Sequence, residues 1–508
     1  MIIGFVVVYS KCSQAIVCLK YNLKFREEKM KKLMKVVVFS LMLIFPTLVF
    51  MQAKDSIYSG KVKLVIGDDE RVFSEGYSAD TTVVEGLRSS RIFLLETTSG
   101  YISLGEKVDW EKYINKDVSF SGSLKRSEDG TIQLIANEKG LKVTSTILQP
   151  NADPPVTQGN FKILVVPVTI QQPDQLALEP NFMTEQQALA PVFSNALSSK
   201  LFYKVASGDR LKLVGLQDLS GDVRFVSITS TVTNCDIQRL NEWVTASDQQ
   251  LRLQGVEPNL YNSTIFVFND PPGCSNVGYG TYGNIGLLNS REFISMMANT
   301  WLNFSAEYTV THEIGHNLGL DHSRGYRCTD PNNIPASCTT IEYGDPSCVM
   351  GSRYFLLNVY QKHRLGWHDM PFKELTFSGN YRVYSSSVPV EAGSKRLMSC
   401  KFCYVPLSGS LTGYRLYYEA RRSYGVFDVF SNYGTLMLPH SQGVKLLIGL
   451  SDLSLNDSRP YLIDTTPSDS STNNSPLLLQ SYTLGGVQTT HTSITNITLG
   501  SGITVNLP

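Results

Sequence analysis

The sequence predicts an α+β multidomain chain, with a small β-barrel or sandwich ahead of a mixed α/β middle region and a β-sandwich behind it. Three observations carry this prediction. Strand-like and helical runs alternate only between residues 156 and 370. The flanks on either side show short β runs and turn residues with no helical period. A Pro-rich stretch over residues 149–159 separates the first flank from the middle. At 508 residues the chain has room for about three such units.

The first 53 residues read as an export segment. Lys31, Lys32 and Lys35 precede an apolar run over residues 36–50, and Ala53 offers a small residue at a cleavage point. The run is shorter than the roughly 20 residues that span a bilayer. Met30 or Met34 is the expected start. If Met1 is used instead, the upstream apolar stretch over residues 2–9 allows an uncleaved membrane anchor. Of nine cysteines, two (Cys12 and Cys18) fall in this segment. The remaining seven allow at most three internal disulfides and leave one thiol over. Cys400-Lys-Phe-Cys403 lacks a second ligand pair and reads as a structural bridge in an oxidising compartment. Sequons at Asn262, Asn303, Asn456, Asn473 and Asn496 fit the same route. The chain is therefore expected to be secreted.

Residues 54–150 form the N-terminal β region. Residues 91–104 read as two strands around a polar turn, residues 117–124 alternate apolar and polar, and Asp129-Gly130 turns into a further strand. In the middle region, Phe161-Lys-Ile-Leu-Val-Val is the nearly continuous apolar run of a strand buried on both faces. Residues 185–205 and 240–253 read as helices, with a strand at Ile265-Phe-Val-Phe268. From residue 371 to 508 the pattern returns to strands, clearest at Tyr381, Tyr414 and Val444. Lys plus Arg equals Asp plus Glu at 45 each, scattered without a basic patch, so a nucleic-acid partner is excluded.

The chemistry is concentrated in His312-Glu-Ile-Gly-His316-Asn-Leu-Gly319-Leu-Asp-His322. His312 and His316 sit one helical turn apart on one face, where two imidazoles can reach one metal ion. Gly319 suits a reversal with positive φ that ends the helix and brings His322 back as a third ligand. Three neutral nitrogens leave the fourth position of a Zn2+ ion open to water, the catalytic arrangement. Glu313 is then placed as general base for that water. A match to the whole pattern by composition alone is expected in well under about one chain in a thousand of this length.

Downstream, Tyr343-Gly-Asp-Pro-Ser-Cys-Val-Met350-Gly351 places a methionine in a turn, followed by a helical stretch over residues 354–364 and Leu365-Gly-Trp367. This constellation resembles the metzincin metallopeptidases, and within them the gametolysin family. The resemblance implies a metzincin-like domain with a twisted mixed sheet and long helices, zinc on His312, His316 and His322, Glu313 as base, and Met350 as the floor of the site. It also implies that the N-terminal β region is a propeptide. That region holds no cysteine between Lys54 and Pro150, so a zinc-bound thiol from it is not available. Tyr354 lies four residues after Met350 rather than two, which puts a tyrosine ligand in doubt. Tyr279-Gly-Thr-Tyr-Gly283 lies where metzincins place an edge strand that pairs with substrate, and reads equally as a Gly-rich loop. His363, His368, His440 and His491 show no ligand spacing.

The expected function is a secreted zinc metalloendopeptidase acting on extracellular, cell-wall or matrix glycoproteins. The alternative is a catalytically idle adhesion or matrix-binding protein with a structural zinc.

Overall fold

The structure, a computed structural model, describes residues 56–67, 90–97, 100–126, 132–137, 140–144, 157–171, 182–230, 237–269, 278–283, 292–302, 306–330, 333–388, 399–429, 440, 443–453, 459–465, 481–494 and 501–508. The export segment, Cys235, Cys274, most of the Pro-rich linker and the sequons at Asn303, Asn456, Asn473 and Asn496 lie outside the described residues. Among the described residues, no helix is long and apolar enough to cross a membrane.

The N-terminal strands are β1 (Ser56–Gly67), β2 (Ser90–Thr97), β3 (Gly100–Leu104), β4 (Asp117–Arg126), β5 (Ile132–Ala136) and β6 (Lys142–Val143). The pairings β1–β2, β2–β3, β3–β5, β5–β4 and β4–β1 close a five-stranded ring. All are antiparallel except β3–β5. Trp110, Phe120, Leu95 and Leu134 fill its interior, the core that the alternating pattern implied.

The middle region contributes β7 (Gly159–Gln171), β8 (Leu211–Val214), β9 (Asp222–Val223), β10 (Val226–Thr229), β11 (Ser263–Phe268), β12 (Gly278–Thr281) and β13 (Glu292–Met297). β7 has parallel neighbours on both sides, β10 and β11, and its alternate residues serve two cores. Ile163 and Val165 face one helical layer, while Leu164, Val166 and Val168 face the other. That is why the run is apolar without a period of two. β13 continues the parallel order, and β12 is antiparallel to it. The helices are α1 (Glu185–Leu189), α2 (Ser199–Ser207), α3 (Ile237–Leu253), α4 (Ala298–Trp301) and α5 (Ala306–Asn317).

The single helix expected over residues 185–205 is two pieces. α1 passes into a π turn at Ala190–Ser194 that carries Pro191, and Asn195 and Ser198 are extended before α2 begins. Among the described residues, only α3 and α5, with 17 and 12 residues, answer to the expected long helices.

The remaining strands are β14 (Arg324–Cys328), β15 (Cys338–Ile341), β16 (Lys373–Glu374), β17 (Gly379–Val383), β18 (Ser399–Cys400), β19 (Cys403–Pro406), β20 (Tyr414–Ala420), β21 (Val444–Leu450), β22 (Tyr461–Ile463), β23 (Ser481–Leu484), β24 (Val487–Ile494) and β25 (Ser501–Asn506). They form a seven-stranded and a five-stranded sheet that share one core around Val405, Leu416, Tyr381 and Ile503. β14 and β15 join the larger sheet although they precede residue 371 in sequence. Disulfides link Cys328 to Cys338 and Cys400 to Cys403, the latter as expected.

α6 (Val359–Arg364) is shorter than the stretch predicted from residue 354. The backbone before it is bonded elsewhere: Leu356 N–H donates to Asp428, and Arg421 donates to the carbonyls of Leu356 and Leu357. Asn358 then caps the helix by accepting from Gln361 N–H.

Candidate metal centre

α5 carries the first two histidines, and all its residues except Glu307 are buried. Tyr203 on α2 donates to Thr311 O at 2.7 Å, and Ser199 meets the Thr311 hydroxyl at 2.8 Å, so α2 clamps the helix one residue before His312. The rings of His312 and His316 lie 4.9 Å apart, as one helical turn dictates. Gly319 adopts φ 86°, the left-handed conformation expected at the helix end. Leu320 N–H donates back to Gly315 O at 3.0 Å, and the reversed chain carries His322 to within 5.2 and 4.9 Å of the other two rings. The ligand-capable atoms of the three histidines fall within 4.8 Å of one another.

The second nitrogen of each ring is engaged. Nδ1 of His312 meets Val349 O at 2.7 Å, and Nδ1 of His316 meets Leu320 O at 2.8 Å. A carbonyl can only accept, so both Nδ1 atoms carry the proton and the lone pair sits on Nε2. Nδ1 of His322 lies 3.0 Å from Glu342 Oε1, which selects the same tautomer. Three imidazole lone pairs without a thiolate are a donor set that fits zinc with one position left open. The nearby Cys348 is no competitor: burial pushes its thiol up to about 12, and it donates to Gln361 at 3.0 Å.

Glu313 faces β12. A Cβ at Gly278 would lie 2.4 Å from Glu313 Oε1, and one at Gly280 would lie 2.6 Å from Oε2. Of the segment read as either an edge strand or a Gly-rich loop, Tyr279–Thr281 is strand, and Gly280 with the preceding Gly278 forms the notch that admits this carboxylate. Met350 is fully buried beneath α5, against Gly315.

The loop that carries Met350 is held from the C-terminal strands. Asp345 accepts from Ser347, Ser323 and Asn358, and Lys445 stands 3.7 Å away. Burial opposes ionisation of Asp345, yet Lys445 and these hydrogen bonds hold its carboxyl well below the usual range. Lys445 in turn pairs with Glu419 at 2.6 Å, and Arg421 donates to Ser347 O.

The structure brings His312, Glu313, His316, His322 and Met350 together. It sends the other candidates elsewhere. The Tyr354 hydroxyl donates to Leu197 O at 2.7 Å and meets Thr311. His363 stacks on Phe372 with ring centroids 3.6 Å apart, and His368 packs edge-on against the same ring. His440 is buried close enough to Asp345 to lower its pKa. Glu342 carries no spacing signal relative to the histidines, since 20 residues separate it from His322. The notch glycines were visible as composition but not as contacts.

No curated protein gives a significant match to the chain. A model of the Reprolysin-like metallopeptidases of family M12B matches residues 213–323, a span that holds β12, α5, all three histidines and Glu313. That match, together with the three-histidine cluster, supports a zinc metallopeptidase of metzincin type.

Proposed function

We propose that the chain is a secreted zinc metalloendopeptidase of the gametolysin type, cutting peptide bonds in extracellular, cell-wall or matrix glycoproteins. The observation that carries this reading is the pairing of two features: three imidazoles whose Nδ1 atoms are all fixed by oxygen acceptors, and a buried carboxylate seated in a glycine notch beside them.

In this reading His312, His316 and His322 hold zinc through Nε2, and Met350 supports the helix from below. A bound zinc ion would polarise the scissile carbonyl and make water acidic enough to react near neutral pH. Glu313 takes the proton as water oxygen bonds to the carbonyl carbon. It returns that proton to the departing amine nitrogen as the C–N bond breaks. The gametolysin assignment draws on the Tyr343–Gly351 and Leu365–Trp367 segments, both outside the matched span. Two disulfides among the described residues support an oxidising compartment.

The N-terminal ring acts here as a propeptide. β1 pairs antiparallel with the outer edge of β12 over Val65–Gly67, and Tyr282 N–H donates to Leu64 O at 2.7 Å. An extended substrate would need that same edge. A buried ion pair, Lys63 to Glu292 at 2.7 Å, secures the joint.

Casein hydrolysis by the purified chain, cut within residues 149–159, tests the reading. Cleavage should stop with a chelator, return with zinc, and be absent from Glu313→Ala. Stoichiometric zinc with no hydrolysis under any of these conditions would favour the adhesion alternative.

A further inference from the structure

His322 differs from the other two histidines in what orients it. His312 and His316 are fixed on a helix, and their Nδ1 atoms lean on backbone carbonyls. His322 stands on the chain segment that follows the Gly319 reversal, and its Nδ1 leans on a charged side chain, Glu342, at 3.0 Å. The β14–β15 hairpin produces this contact. Gly325 pairs with Ile341 at its open end, so Arg324 and Glu342 meet just beyond the last paired residues. The disulfide between Cys328 and Cys338 joins the opposing residues at the other end of the same ladder.

Glu342 is bound from two sides. Arg324 reaches its Oε2 at 2.6 Å and its Oε1 at 2.8 Å, while His322 takes Oε1. The ring of Tyr343 packs on His322 with centroids 4.3 Å apart, which limits its swing.

Asp321, His322 and Glu342 also lie close enough to suggest a second cation site. Guanidinium groups already serve those carboxylates: Arg324 on Glu342, and Arg459 on Asp321 at 3.0 Å with Arg91 at 3.8 Å. A second metal ion there would face three positive charges. The cluster is better explained as an orienting device than as a site of its own.

We propose that Glu342 is the positioning residue for the third histidine. By accepting from Nδ1–H it fixes the tautomer and ring orientation of His322 and so sets zinc affinity. Arg324 pairs with the same carboxylate, but the acceptor for Nδ1–H is Glu342 alone. The inference rests on the reading that the three histidines hold zinc. Outer partners of this kind typically govern metal affinity by about 10- to 100-fold.

Zinc affinity is measured by competition with a chromophoric chelator on the full chain, beside thermal unfolding of the metal-free protein. Glu342→Ala should weaken zinc binding by about 10- to 100-fold. Glu342→Gln keeps an oxygen acceptor and should weaken it less. Arg324→Met removes the same ion pair but leaves the Glu342 acceptor. It should lower the metal-free melting temperature about as much as Glu342→Ala, while zinc affinity stays within a few-fold of wild type. If Glu342→Ala binds zinc as tightly as wild type, or Arg324→Met loses as much affinity as Glu342→Ala, the inference is overturned. If Glu342→Ala does not fold, Glu342→Gln carries the comparison: affinity equal to wild type would count against the proposal. Failure of the wild-type chain to bind one zinc, or undiminished binding by His322→Ala, would instead overturn the underlying metal reading.

Discussion

Met350 lies so close beneath Gly315 that a methyl group added to the glycine would sit 2.3 Å from the methionine sulfur. The helix that carries the first two histidines therefore rests on the methionine loop at the residue midway between Ile314 and His316. Alanine is worth about 1 kcal/mol over glycine in a helix, but overpacking a full core costs about 1–3 kcal/mol. We expect Gly315→Ala to lose about 1 kcal/mol net in urea unfolding. Combining it with Met350→Ala should cost less than the two single losses added, because the sulfur that clashes is gone. Strict additivity would show that the two residues do not bear on each other.

The notch on β12 makes a different prediction, on rate rather than stability. A methyl at Gly280 would also lie 3.2 Å from the backbone oxygen of Glu313, so the strand cannot yield without moving the helix. A displacement of about 1 Å in a reacting group can cost on the order of 100-fold. Gly280→Ala should reduce kcat/KM by that order while zinc content stays at one per chain. Near-normal turnover would mean that Glu313 need not occupy the notch.

The joint between β1 and β12 predicts latency. Ile66 pairs with Gly280, and proline there lacks the N–H that a strand pairing uses. Loosening the joint by about 1–2 kcal/mol raises the open population roughly 5- to 30-fold. The Ile66→Pro chain should hydrolyse an extended peptide faster than the intact wild-type chain by a comparable factor. Equal rates, with both proteins folded by circular dichroism, would remove the propeptide role from this strand.

His363 predicts an acid limit to stability. Burial pushes its pKa from 6.5 down to about 3 in the folded chain. Between these values the unfolded state binds the extra proton, so stability is complete above about 6.5 and falls as pH drops towards 3. The slope from this group approaches about 1.4 kcal/mol per pH unit. Urea midpoints measured between pH 7 and pH 4.5 should decline, and His363→Phe should flatten the decline.

The parts of this molecule that were legible in the sequence are those with a local period or a local constraint. The β7 run, the spacing of His312 and His316, and the need for a left-handed residue at Gly319 each follow from backbone geometry within a few residues. What was not legible depends on contacts between distant segments. α6 begins at Val359 rather than at residue 354 because Arg421 and Asp428, more than 60 residues away, take the backbone groups that a longer helix would use. Glu342 reaches His322 through a hairpin whose pairing no periodicity marks. The role of Gly278 and Gly280 required knowing which side chain faces them.

X-ray absorption at the zinc edge of the zinc-loaded chain reads the proposed three-nitrogen zinc site itself. Three imidazole nitrogens and one further light atom are expected at about 2.0–2.1 Å with tetrahedral coordination. A sulfur scatterer at about 2.3 Å, from Cys348 or another thiol, or fewer than three imidazoles would contradict it.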